Sequence, residues 1–143
     1  MKSTDLTPRL LELGCSPHNF SVGYRGSDVF CLEDQQGLWC VFYTERGGEG
    51  EHIFESPDEE TACDFFYNYI LTKIQHRHLV GFFKDEARAQ DLRAKLRGHG
   101  IATEQDKIPY GGWADPRYRV FVIGKDIFKV RDLLGQLPIM EQP

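Results

Sequence analysis

The chain has 143 residues, 41% of them hydrophobic and 27% charged, with a formal net charge of −5. That length suits one domain or two small halves sharing a core, and the balance is ordinary for a globular protein. No apolar run approaches the ~20 residues that a membrane helix needs. The N-terminus, MKSTDLTPRLLELG, lacks the apolar stretch of a signal peptide, so a cytoplasmic protein with four reduced cysteines is expected.

The charge is unevenly spread. Residues 1–75 carry 5 Lys/Arg against 13 Asp/Glu, whereas residues 76–143 carry 12 against 9. An acidic half argues against nucleic acid there and suits a basic partner, with a plain solvated surface as the competing reading.

In chain order, Thr7 and Pro8 predict the opening of a short helix, with Leu6 stapled onto Leu11 and Gly14 closing it. A short strand is expected at 19–23 and a firmer one at 28–33. The turn-like run Asp34-Gln35-Gln36-Gly37 leads into a strand over 38–45. Alternation places Phe30, Leu32, Trp39, Val41 and Tyr43 on one face, and Val29, Cys31, Cys40 and Phe42 on the other. A hairpin apolar on both faces is covered on both. The helix that follows is one cover; the C-terminal half or a partner is the other.

Glycines at 47, 48 and 50 supply the positive φ of a hairpin turn into a further strand. Ser56 as N-cap, Pro57 at the first helical position and Glu59 in an S-x-x-E box predict a helix from 57. Ala62, Phe65, Phe66, Tyr69, Ile70 and Ile74 form its apolar stripe. The second half predicts a strand at 78–83, an Asp85-capped helix over 86–97, and strands at 101–105 and 117–123. A last helix starts at Lys125 or Asp126, with Ile127, Val130, Leu133 and Leu134 inward. Organisation is therefore 1–75 and 76–143, packed together, in an α+β fold of mostly antiparallel sheet with helices upon it.

Motifs for chemistry are scarce. There is no G-x-S-x-G, no phosphate-cradling loop and no G-x-G-x-x-G. His76 and His78 form an H-x-H pair, too few ligands for a closed zinc site, and are expected as surface histidines entering a strand. A two- or four-residue turn at 34–37 would set Cys31 opposite Cys40, both as small buried hydrophobes. Cys15 and Cys63 read the same way. Nothing flags a nucleophile–base pair such as Cys40 with His52. No cofactor and no metal are expected.

Two stretches point instead to a partner. Glu45, Glu49, Glu51 and Glu55 cluster on the glycine-rich hairpin, beside Asp58 and Glu59 at the helix start. Exposed carboxylates in such a place are more often electrostatic than catalytic. The loop DKIPYGGWADP carries Tyr110 and Trp113 around two glycines, residue types that anchor protein interfaces, unless they fold onto the core.

The run WCVFYTERGGEGEHIFESPDEETACDFFYNYI resembles small bacterial immunity proteins that neutralise polymorphic or contact-dependent growth inhibition toxins. The shared pattern is W-x-V-x-Y/F-x-E-R-G, then F-x-S/T-x-x-E-A-C-x-x-F/Y. Here Glu60-Thr61-Ala62-Cys63 departs from E-A-C by one residue, and the likeness covers about a quarter of the chain. It implies a non-enzymatic cytoplasmic inhibitor that occludes a toxin, such as a basic nuclease. It does not fix the binding residues. Separately, LVGFFKDEARAQDLRAKLRGHGI followed by YRVFVIG is similar to SPOR peptidoglycan-binding repeats. This implies a ferredoxin-like arrangement for residues 78–135 and, as the alternative function, a SPOR-like binding module. Those domains act in the envelope, so the geometry is carried over and the ligand is not. A small enzyme using the acidic cluster is the third reading.

Overall fold

The computed structural model describes residues 1–141. It is an α+β fold that divides after His76 into two compact units, each with its own sheet and core. In the first, α1 (Ser3–Glu12) is followed by β1 (Phe20–Val22), β2 (Phe30–Gln35), β3 (Leu38–Glu45), β4 (Gly48–Ser56) and α2 (Glu59–Lys73). The strands lie in the order β1-β2-β3-β4, with only β1 against β2 parallel.

Helix α1 starts four residues before the expected Thr7. Its start is set by Asp5, whose carboxylate accepts from the Lys2 amide at 2.9 Å. Pro8 therefore sits inside the helix, and Leu11 is exposed while Leu6 and Leu10 are fully buried. The end is as expected: Gly14 takes φ 84°, and the Cys15 amide returns to the Leu10 carbonyl at 3.1 Å.

Helix α2 starts later than expected. Its N-cap is Asp58, whose carboxylate accepts from the Thr61 amide at 3.1 Å. Ser56 still belongs to β4, opposite Trp39, so its backbone is committed to the ladder. Its hydroxyl accepts from the Asp58 amide instead, at 3.1 Å. The carboxylate is also the better charge for a helix start. The buried face of α2 (Ala62, Cys63, Phe66 and Ile70) meets Leu6 and Leu10 of α1 and Leu32 and Val41 of the sheet.

Both hairpins turn on two residues with positive φ: Gln36 and Gly37, then Arg46 and Gly47. The first turn pairs Cys31 with Phe42 and Glu33 with Cys40. Cys31 and Cys40 are therefore two positions out of register rather than opposite, because the turn closes on 36–37. All four cysteines are buried, free thiols.

The second unit runs β5 (Arg77–Phe83), α3 (Glu86–Gly98), β6 (Glu104–Ile108), β7 (Arg117–Ile123), α4 (Asp126–Leu134) and β8 (Ile139–Met140). Its order β6-β7-β5-β8 is that of a split β-α-β, ferredoxin-like sheet. One direction differs: β8 runs parallel to β5, a two-residue addition that the sequence did not announce. Strand β6 begins three residues late, because Ile101 closes α3. Gly100 is left-handed (φ 76°), and the Ile101 amide returns to the Leu96 carbonyl at 3.0 Å while its side chain joins the core. Leu133, expected inward, is exposed. No helix of the described residues is long and apolar enough to cross a membrane.

Candidate functional site

The residues that gather most polar chemistry lie on the face of β2–β3–β4 turned away from the helices. Alternation brings Cys40, Phe42 and Thr44 of β3 to that face. On β4 the alternation breaks twice. Cys40 pairs with Glu55 and Val41 with Phe54, yet Phe42 pairs with His52 and Thr44 with Glu49. Ile53 is thus an extra residue, and a second irregularity falls at Gly50–Glu51. Each slip restores the same face, so Glu49, His52 and Glu55 all stand over the Cys40–Phe42–Thr44 row. Gly50 is required there: a Cβ would lie 2.5 Å from the Tyr43 carbonyl oxygen.

Under this skin Cys31, Cys40 and Phe42 form a small, fully buried cluster. Side chains of the same unit lie over it. The His52 ring stacks on Phe42 at 5.6 Å, and the Arg25 guanidinium lies over the same ring from 5.2 Å. Arg25 binds Glu33 through two nitrogens, at 2.7 and 3.2 Å, and reaches Glu49 at 3.4 Å. Gln35 donates to Glu33 and to Glu49. His52 sits between two carboxylates, Nε2 3.4 Å from Glu49 and Nδ1 3.3 Å from Glu55.

The charges bias one another in a consistent way. The Arg25 hydrogen bond holds the Glu33 carboxyl below its ordinary range. Burial, and then the carboxylates of Glu55 and Glu49, push the Cys40 thiol up. A nucleophilic cysteine needs the reverse, an electropositive and partly exposed setting that favours thiolate. The surroundings of Cys40 work against a thiolate.

The acids singled out from the sequence divide into two groups. Glu49 and Glu55 belong to the network just described, whereas Glu45 and Glu51 are exposed on the same hairpin. Asp58 and Glu59 sit at the head of α2, where Asp58, bonded by Thr61, has its carboxyl held low. Tyr110 and Trp113 belong to the second unit. They are 64% and 65% exposed, so the fold-back reading fails for both. The Tyr110 ring is edge-on to Phe82 at 5.6 Å and lies under the Arg117 guanidinium at 4.4 Å; Lys107 is over Trp113 at 5.8 Å.

His76 corrects another expectation. It is buried, not a surface residue entering a strand. Its Nδ1 accepts from the Ser16 amide at 2.9 Å, so Nε2 carries the proton and donates to the Ile70 carbonyl, also at 2.9 Å. One imidazole thereby satisfies an otherwise unpaired carbonyl near the end of α2 and ties it to the segment after α1.

Sequence reasoning missed Arg25, Glu33 and the alignment of His52 with Cys40. The missing signal was the bulge; a glycine inside a strand, as at Gly50, is its only trace in the sequence. No protein family, curated protein or solved structure matches the chain. The two resemblances therefore rest on the quoted residues alone.

Proposed function

We propose that the chain is a non-catalytic binding protein of the immunity type, whose acidic β3–β4 hairpin docks a basic toxin domain. The observation that supports it most is β4. It is the edge of its sheet, it carries Glu49, Glu51 and Glu55, and Glu45 stands across the turn. An edge strand offers unpaired backbone groups for strand addition, and carboxylates along it steer a positively charged partner. Tyr110 and Trp113, exposed on a loop stiffened by a bond from the Gly111 amide to the Asp115 carbonyl, supply anchors on the second unit.

The test is rescue. Where a toxic domain is encoded next to this chain, co-expression with it should restore growth, and the purified pair should form a complex. Glu45→Lys with Glu51→Lys should slow association about tenfold or more at low salt, and the difference should shrink as salt rises. Trp113→Ala should speed dissociation instead. Failure to rescue, or an association rate indifferent to both charge reversal and salt, would sink the proposal.

A further inference from the structure

We propose that Cys40, His52 and Glu55 bind a zinc ion, with Glu49 holding the imidazole from behind. The ligand atoms of the three residues all lie within 4.8 Å of one another. The separation of His52 Nδ1 from Glu55 Oε1 is 3.3 Å. Bonds of about 2.0–2.2 Å to nitrogen and oxygen at tetrahedral angles put two ligands about 3.3–3.5 Å apart, so this edge already has the right length. Thiolate, imidazole and carboxylate together suit a borderline-soft cation such as zinc better than magnesium or calcium, which take all-oxygen shells.

Three features of the fold argue that the cluster is built. Cys40 and Glu55 are register partners on β3 and β4, and the extra residue Ile53 returns His52 to their face. Without that bulge, positions 52 and 55 of one strand would point to opposite sides. A ligating histidine ordinarily gives its second ring N–H to a carboxylate, which fixes its tautomer and orientation. Glu49 occupies that place, 3.4 Å from Nε2, and is itself held by Arg25. Lastly, Glu49 and Glu55 set two carboxylates within 3.4 Å of the same ring, negative charge that makes the spot attractive to a dication. On binding, the Cys40 S–H bond breaks, the sulfur pair goes to the metal and the proton leaves to solvent. Three protein ligands leave the fourth position to water.

The site shares Glu49 and Glu55 with the proposed docking edge, yet its test needs no partner. Chelator-treated, reduced chain is titrated with zinc against a chromophoric chelator, and with cobalt(II) as a spectroscopic probe. One equivalent should bind, and cobalt should show a thiolate-to-metal charge-transfer band in the near ultraviolet. Cys40→Ser should abolish the band. Since Cys40 is buried and its substitution risks the fold, His52→Ala and Glu55→Gln carry the test as well. Each should weaken zinc binding at least about tenfold while the circular dichroism is unchanged. Absence of competitive binding, a cobalt complex lacking the thiolate band, or wild-type affinity in both His52→Ala and Glu55→Gln would overturn the proposal.

Discussion

The two faces of the β2–β3–β4 sheet are both apolar at their centres and are finished differently. One face, with Leu32, Val41 and the flanking Phe30 and Trp39, is sealed by α1 and α2. The other presents three buried side chains, Cys31, Cys40 and Phe42, beneath long polar residues that touch solvent. Arg25 and His52 cover Phe42 with their ring and guanidinium planes while keeping their polar atoms among carboxylates. A helix covers area by shape; a polar skin covers less area and leaves charge in place for binding.

The helix side should dominate stability. Phe66→Ala, which opens a cavity between α2 and the sheet, is expected to cost about 3–5 kcal/mol in denaturant unfolding. If the loss is no larger than that of Arg25→Met on the opposite face, the two faces are energetically equivalent and the contrast fails.

The two histidines sharpen the comparison. His76→Ala removes two buried hydrogen bonds and leaves the Ser16 amide unsatisfied, for an expected cost of about 1–3 kcal/mol. His52→Ala should cost less, because its ring reaches solvent. The reverse order in a urea melt would move the structural role from the buried ring to the charged face.

Acid should act on the charged face. Arg25 keeps the Glu33 carboxyl below its unfolded value, so this stabilisation is complete above the usual carboxylate range. It is lost as pH falls through the lowered folded value. Arg25→Gln should therefore be less stable than the parent near neutrality, with the gap closing in acid. A gap that stays constant from neutral pH to pH 3 would mean the pair is not coupled to folding.

The smallest effects concern the head of α2 and the hairpin tip. Asp58→Ala should lower the thermal midpoint more than Ser56→Ala, since only Asp58 caps the helix. Equal shifts would return the cap to Ser56. Reversing Glu45 and Glu51 together should leave stability within about 0.5 kcal/mol, as expected of exposed positions.

Much of the fold was legible in the sequence because its signals are local. The Asp85 cap, the apolar stripe of α2 and the split of residues 29–43 between two faces follow from periodicity and capping chemistry, which need only a few neighbouring residues. Turn residues marked both hairpins, although the choice of 36–37 over the neighbouring pair shifted Cys31 against Cys40 by two positions. The α+β class followed from those elements.

The tertiary structure decided the rest. Whether Ser56 or Asp58 caps α2 depended on Ser56 being claimed by a ladder with Trp39, a pairing seventeen residues away. Ile101 stands at the head of the strand expected over 101–105, yet the core claims it as the closing contact of α3. His76 looked like an exposed histidine until Ser16 and the Ile70 carbonyl supplied partners from distant parts of the chain. The polar face depended on two slips in the β3–β4 register, which no spacing rule encodes. The sequence by itself determined which residues are apolar and which stretches form helices, strands and turns, but not the residue at which α1, α2 or the first turn begins. Long-range pairing, where one residue's offset turns a side chain to the opposite face, decided which polar groups meet.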